Sequence, residues 1–274
     1  MTVFVTANGR ELDARALVAT ALAAAFSDPK APLCEKGRAI PGSVLRAEWD
    51  VVAGRIGAFD AADLHRGERR PDEVDAHAVA TWLSLGEPRR ERAYREVFGL
   101  VVGKTCPPVE NEYVPWKDST HRAQQLADVA GFYRAFGVMP DRTFPEHLDH
   151  VALELSFVAF LLEKRARIAS VAHDEDPRGA IATGALRSFL ADHIVWWMPV
   201  FAHVVGERIA GLLVEVENAE LEADLADFRA CARMLAAFVR SERLIEAVGP
   251  PAGMAPARAG EDDESECGGC GLAT

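Results

Sequence analysis

The segment from residue 106 to residue 118 concentrates residue types that bind ligands. Its sequence is Cys-Pro-Pro-Val-Glu-Asn-Glu-Tyr-Val-Pro-Trp-Lys-Asp. Three prolines restrict its backbone, Glu110 and Glu112 supply carboxylates, and Tyr113 and Trp116 supply aromatic rings. The segment is either a binding loop or a connector whose two aromatic rings fill the core beneath it, and composition leaves both alternatives open.

A second group of polar residues resembles part of a metal site. His147 and His150 lie three positions apart in a predicted helix, and Glu146 and Glu154 could add carboxylate ligands. One histidine pair needs further ligands from elsewhere, and a capping or interhelical hydrogen bond is the commoner role. We therefore predict no metal at these residues.

The cysteines indicate a reducing compartment. Five are present, an odd number, and they are scattered except for Cys267 and Cys270. The sequence Cys-Gly-Gly-Cys has the spacing that chelates zinc or an iron–sulfur cluster, but a closed thiolate site needs four ligands. These two cysteines are weak metal candidates, and we expect no cofactor.

Composition excludes several classes of function. The chain has no glycine-rich phosphate loop, no Gly-x-Ser-x-Gly turn and no His-Glu-x-x-His pair, so it lacks a motif for nucleotide chemistry or serine hydrolysis. Acidic residues outnumber basic ones by 42 to 30, and the formal net charge is −12. Nucleic-acid binding needs clustered lysine and arginine, so we expect no nucleic-acid partner. Acidic positions between 215 and 227 predict a solvated helix face.

Apolar residues recur at helical spacing and never alternate long enough to predict a sheet, so the expected fold class is all-α. The predicted helices cover residues 11–26, 43–58, 72–85, 88–100, 119–136, 145–170, 178–206 and 208–247, the seventh broken at Pro199. The apolar runs 16–26 and 194–206 are shorter than a membrane span of about 18 to 20 residues, and the first has no basic region before it. We expect neither a membrane span nor secretion. Residues 1–248 form the predicted domain, and 249–274 a disordered acidic tail.

Several stretches together resemble one family. They are Phe98-Gly99, the segment 106–113, residues 125–137 (Gln-Leu-Ala-Asp-Val-Ala-Gly-Phe-Tyr-Arg-Ala-Phe-Gly), Pro145-Glu146-His147-Leu148 and residues 153–157 (Leu-Glu-Leu-Ser-Phe). In order and spacing they resemble the TorD/DmsD/NarJ family of redox-enzyme maturation chaperones. The resemblance is specific over residues 88–165. It is strongest to chaperones that serve the dimethyl-sulfoxide-reductase superfamily, such as selenate, chlorate, dimethyl sulfide and ethylbenzene oxidoreductases.

The resemblance implies a cytoplasmic, non-enzymatic helical protein, a monomer or weak dimer. Such a protein holds the apo form of a molybdenum-enzyme catalytic subunit for cofactor insertion, and many members also bind the twin-arginine leader of that subunit. One alternative is a scaffold that binds only the folded subunit. A less favoured alternative is a small metal- or nucleotide-dependent enzyme.

The resemblance also implies a binding site built from three segments. Its residues are Tyr94, Val97 and Phe98 in a helix, Pro107, Pro108, Glu112 and Tyr113 in the loop, and Glu146 and His147 in a turn. Glu146 replaces the aspartate that is usual in the family. From residue chemistry alone, a receptor for a cationic and apolar leader needs an apolar groove edged by carboxylates. Candidates for that groove are Val97, Phe98, Tyr113 and Trp116, with Glu110, Glu112 and Asp128 nearby.

Overall fold

The computed structural model describes residues 7–56, 64–99, 105–115, 119–140, 146–171 and 177–254. Within these ranges the chain forms ten α-helices and no strand, which confirms the all-α class. The helices are α1 (Ala7–Phe26), α2 (Pro32–Arg38), α3 (Gly42–Ile56), α4 (Ala76–Ser84), α5 (Glu87–Phe98), α6 (Ser119–Ala135), α7 (Val151–Val171), α8 (Pro177–Phe189), α9 (Met198–Glu215) and α10 (Ala219–Glu246).

Helix α1 lies at the centre of the domain. Every residue from Ala21 to Phe26 is fully buried, because the last part of this helix is apolar around its whole circumference. Its small side chains allow close packing against α7, α3 and α2. At Gly37 of α2, an added Cβ would lie 2.4 Å from the Cβ of Ala24, so only glycine permits this approach.

Helix α10 closes the other side of the core. It packs against α9, α4, α3 and α5. Phe228 of α10 stacks on Trp82 of α4 with ring centroids 4.2 Å apart, and it lies 5.6 Å from the ring of Phe26. Such aromatic pairs add specific geometry to the burial of large apolar surfaces, so α1, α4 and α10 meet in one defined arrangement.

Several predicted boundaries were wrong. Residues 27–42, which lie between two predicted helices, contain α2, a short helix with proline in its first turn. The helix predicted from 72 begins at Ala76, where the Asp75 carboxylate accepts hydrogen bonds from the His77 and Ala78 N–H groups. Helix α7 begins at Val151 rather than at residue 145, because residues 146–150 form a turn.

The break predicted at Pro199 lies earlier in the chain. A π-helical turn, Leu190–Ile194, follows α8, and α9 starts at Met198 with Pro199 in its first turn. A proline at this position has no intrahelical hydrogen bond to lose. Helix α9 then continues to Glu215, so the helix predicted over 208–247 begins instead at Ala219.

No single helix of the described ranges is long and apolar enough to cross a membrane. One bent pair, Pro177–Ile194 with Met198–Glu215, meets the length and composition criteria when the two helices are taken together.

Buried ion pairs join helices that are distant in sequence. Arg15 of α1 donates to Glu242 of α10 over 2.8 and 2.7 Å and to Glu246 over 2.7 Å. The acidic face predicted at 215–227 is partly wrong for the same reason, because Asp224 is buried and accepts a hydrogen bond from Arg89 Nε at 3.2 Å. These pairs fix the position of α10 against α1 and α5.

The Arg15 pair is expected to contribute much more stability than a surface pair on the same helix. Arg15→Met leaves the fully buried Glu242 carboxylate without its cation, which costs about 3 to 5 kcal/mol. Arg10→Met removes an exposed pair with Glu48 and should cost less than about 1 kcal/mol. Urea unfolding of both variants measures the two free energies, and equal losses would contradict the assignment.

Candidate binding cleft

Helix α5 presents two aromatic residues on one face. It begins at Glu87 with Pro88 in its first turn and ends at Phe98, and the next residue, Gly99, has a φ of 82°, a conformation that favours glycine. Tyr94 and Phe98 lie four positions apart, one helical turn, and their ring centroids are 4.6 Å apart.

The proline-rich loop, residues 106–115, is fixed against α5 and the turn before α7. The Cys106 thiol donates to the carbonyl oxygen of Val97 at 3.2 Å. The Val151 N–H donates to the carbonyl oxygen of Pro108 at 2.9 Å. An isolated antiparallel bridge joins Val109 to His150. The loop therefore has a defined backbone position beside the C-terminal end of α5.

A cleft of about 270 Å³ opens where these segments meet the turn between α1 and α2. Aromatic and proline side chains line it together with charged groups. The lining residues are Asp28, Pro29, Lys30, Glu91, Tyr94, Arg95, Phe98, Gly99, Pro108 and Glu146. Four of them, Tyr94, Phe98, Pro108 and Glu146, are residues that the sequence predicted for the binding site.

The charges of the cleft leave two carboxylates without a lysine or arginine partner. Lys30 Nζ lies 2.8 Å from Glu91, which also pairs with Arg95, so both cations of the cleft share one carboxylate. Asp28 accepts a hydrogen bond from the Lys30 backbone N–H at 2.8 Å and forms no ion pair with a described residue. The nearest basic group to Glu146 is the His150 ring, 3.5 Å away.

The environment of the cleft favours a cationic ligand. Burial raises the pKa of Glu146, and the negative charge of Asp28 raises it further. The pKa of Tyr94 is also raised, first by burial and then by the charges of Glu146 and Asp28. A cation placed between the two carboxylates would relieve their repulsion, and the neutral Tyr94 ring offers a face for a guanidinium group.

His150 caps α7 rather than binding a metal. Its Nδ1 accepts the Ala152 N–H at 3.2 Å, and burial lowers the pKa of the ring to about 3, so the imidazole is neutral. Among the described residues, no group of three His, Cys, Asp or Glu side chains could hold a metal ion. Cys267 and Cys270 lie outside the described residues.

A polar cluster, most of it buried, contacts the proline-rich loop through Glu110. Glu110, with no exposed surface, accepts a hydrogen bond from Gln125 Nε2 at 2.8 Å, and its two oxygens lie 3.2 Å from His193 Nδ1. His193 Nε2 lies 3.2 Å from Asp128. The Trp197 indole N–H faces Glu154 Oε2 at 3.2 Å. The cluster joins the loop to α6, α7 and the π-helical turn.

The cluster changes the pKa values of three of its members. Burial disfavours the imidazolium of His193, but the hydrogen bond and charge of Glu110 outweigh burial and raise its pKa. Burial also raises the pKa of Glu110, although the hydrogen bond and charge of His193 oppose this. The pKa of Glu154 is raised well above its ordinary value by burial and by the charges of Glu110 and Asp149. The cluster therefore favours the protonated forms of His193 and Glu154.

Two predictions about the groove carboxylates and aromatics need correction. Glu110 cannot stand at the edge of a groove, because it is fully buried with His193. Tyr113 packs into the core, where its ring centroid lies 5.4 Å from that of Trp197. The desolvation that accompanies this packing raises the pKa of its hydroxyl.

The other described residues of the predicted site are not among those that line the cleft. Val97 and Pro107 are buried. Glu112 is exposed and pairs with Arg122 at 3.2 Å. Asp128 is exposed and lines a separate depression with His121, Gln124, Gln125 and Ala127. His147 is exposed and is not among the lining residues, and Trp116 lies outside the described residues.

Sequence reasoning missed Asp28 in the cleft and His193 beneath the loop. Asp28 belongs to the α1–α2 turn, 59 residues before the first residue of α5, Glu87, and only the fold brings the two together. The sequence could have predicted the role of His193. This histidine lies in an apolar run that leads into Trp196 and Trp197, and a histidine buried there needs a polar partner.

A family model described as the nitrate reductase delta subunit matches residues 71–203. The matched range includes α5, the proline-rich loop, α6 and α7, which are the segments that build most of the cleft and the buried cluster. The matched region therefore contains seven of the ten residues that line the cleft, all except the three from the α1–α2 turn.

A relative among characterised proteins is the "Perchlorate reductase assembly chaperone protein" of Dechloromonas aromatica (strain RCB), 32% identical over 91 residues. The match covers 33% of this chain and 39% of the length of the relative. Both comparisons agree with the motifs of residues 88–165. Over these residues the chain is therefore similar to the nitrate reductase delta subunit family and to an assembly chaperone, and both findings support the TorD/DmsD/NarJ family of chaperones.

Proposed function

We propose that this protein is a cytoplasmic chaperone that binds the catalytic subunit of a molybdenum-containing reductase, together with the twin-arginine leader of that subunit, before the cofactor is inserted. The observation that carries the proposal is the cleft between α5, the proline-rich loop and the α1–α2 turn. Its aromatic and proline lining and its two unpaired carboxylates match a peptide that is both apolar and cationic.

The two halves of such a peptide would use different parts of the cleft. The apolar half would cover Tyr94, Phe98 and Pro108, and burial of one large apolar side chain contributes about 1.5 to 3 kcal/mol. An arginine would lie between Asp28 and Glu146, where its planar guanidinium group can donate to both carboxylates. The apolar contacts supply most of the affinity, and the arginine sets the orientation.

The buried cluster has a supporting role in this proposal. Glu110 holds the loop through its backbone N–H, which donates to the Asp149 carbonyl oxygen at 3.0 Å, and through its side-chain contacts with His193 and Gln125. Pro108, two residues earlier, then stays at the wall of the cleft. His193 is therefore a positioning residue.

Glu146→Gln is expected to weaken binding of a leader peptide by about threefold to tenfold, because it removes one of two carboxylates that pair with arginine. The peptide is a synthetic copy of the twin-arginine leader of whichever subunit co-purifies with the protein. Calorimetric titration measures the affinity. Wild-type affinity should fall as pH falls through the raised pKa of Glu146, since the protonated carboxyl cannot pair, and the variant should lose that dependence.

Glu163→Gln is the matched control, because Glu163 is exposed on α7, pairs with Arg167 and lies outside the cleft. It should leave leader affinity unchanged. Equal affinities for wild type, Glu146→Gln and Asp28→Asn, with equal salt dependence, would remove this cleft from the mechanism and favour a scaffold that reads only the folded subunit.

His193→Gln is expected to flatten the dependence of stability on pH. The folded pKa of His193 is raised above the ordinary value of about 6.5, so its contribution to stability is complete below that value and is lost as pH rises through the folded pKa. The buried Glu154, whose pKa is also raised, acts in the same direction. Wild-type stability should therefore fall over the pH window that begins at about 6.5, the ordinary pKa of histidine.

Urea unfolding at several pH values in this window measures the effect, with the exposed His77→Gln as control. A positioning role also requires that His193→Gln weaken leader binding at a pH where the variant is fully folded. A variant with unchanged leader affinity would leave His193 only a structural role.

A further inference from the structure

A second cleft, of about 410 Å³, lies between α9 and α10. Four small residues form its floor: Ala202 and Gly206 from α9, and Ala232 and Ala236 from α10. Basic side chains surround that floor, namely Arg69, His203, Arg229 and Arg233, and the acidic lining residues are Glu73 and Glu207. We refer to it as the α9–α10 cleft.

Two arginines of this cleft are free of partners within the described chain. Arg229 and Arg233 lie four positions apart on α10, so they project from the same face of the helix. Neither forms an ion pair or a hydrogen bond with a described residue, whereas Arg69 has Glu73 at 3.9 Å. Two unpaired arginines at one cleft are notable in a chain whose formal net charge is −12.

The chain itself contains a segment of complementary charge. Residues 261–266 read Glu-Asp-Asp-Glu-Ser-Glu, five acids in six positions, and they follow the described residues by only a few positions. The cleft between α5, the proline-rich loop and the α1–α2 turn, which we call the leader cleft after the proposed function, would repel this segment, because Asp28 and Glu146 are themselves negative there. The α9–α10 cleft offers the opposite charge.

The length of the chain permits contact. Helix α10 ends at Glu246, thirteen residues beyond Arg233, which is a distance of about 20 Å along the helix axis. Residues 247–261 span up to about 50 Å when extended. At the end of α10, Ala247 adopts a left-handed conformation and the Val248 N–H donates to the Arg243 carbonyl oxygen at 3.1 Å, which ends the helix and redirects the chain.

We propose that residues 261–266 of the same chain dock in the α9–α10 cleft, with their carboxylates on Arg229 and Arg233. Each exposed charge pair is individually weak and is screened by salt. Because the segment is tethered to α10, its effective concentration at the cleft is on the order of millimolar, so several weak pairs suffice. The cleft is thereby closed to other acidic segments, and the negative segment is kept away from the leader cleft.

Cross-linking from the tail tests the proposal on the full chain. Cys267 directly follows the acidic segment and, after Cys270→Ser, can carry a benzophenone maleimide, while Cys34, Cys106 and Cys231 are buried. Illumination at low ionic strength should give cross-links within one chain to residues 202–207 and 229–236. The double variant Arg229→Gln/Arg233→Gln should reduce their yield by about threefold or more, as should salt at about 0.5 M.

The matched control is Lys36→Gln/Arg46→Gln, which changes the net charge equally at exposed residues outside the α9–α10 cleft and should leave the yield unchanged. If the arginine variant fails to fold, neutralising all five acids of residues 261–266 tests the same contact from the other side. The proposal would be overturned by cross-links spread over the surface or by cross-links that join two chains. It would also be overturned if neither the arginine variant nor the neutralised tail changed the cross-linking yield.

Discussion

The contact between Glu110 and His193 is the constraint on which the geometry of the cleft depends. A fully buried carboxylate must keep its partners, since its charge is costly without them, and Glu110 has His193 and Gln125. Those partners belong to the π-helical turn and to α6, so one carboxyl group aligns three separate segments. The irregular turn before α9 follows from the same need, because it places His193 toward the loop while Trp197 faces Glu154.

Charge is distributed unevenly over this acidic protein. Within the described residues, the cleft beside α5 has two carboxylates without a lysine or arginine partner, whereas the α9–α10 cleft has two arginines without a carboxylate partner. The two clefts therefore attract segments of opposite charge, and net charge alone would have suggested only basic partners. Many of the other charges are already matched across helices, as in the pairs of Arg15 with Glu242 and Arg243 with Glu68. The charges that can bind a charged segment are those that have no partner of opposite charge in the described residues.

The sequence predicted the helical class because apolar spacing is a local property that long helices satisfy repeatedly. The apolar run 16–26, predicted as part of a helix too short to cross a membrane, lies at the centre of the domain. The sequence did not predict α2, whose seven residues are too few for a periodic pattern, or the start of α7, because apolar residues continue into the preceding turn. Four cleft residues came from family motifs. Asp28 and Glu91 could not, because their place in the cleft is set by how α1, α2 and α5 pack.

Phe98 packs in the core and also lines the cleft. Its core contacts therefore make this wall of the cleft rigid. Its ring lies 6.3 Å from that of Phe201 and 5.9 Å from that of Phe228, so it cannot move without disturbing packing deep in the domain. Pro108 is restrained by its own ring and by the hydrogen bond from Val151. The apolar wall is therefore formed before a ligand arrives, and little ordering entropy is lost there on binding. If the cleft binds a leader as proposed, adaptation to different peptides falls to the longer, more exposed side chains of Lys30 and Arg95 rather than to the rigid apolar wall.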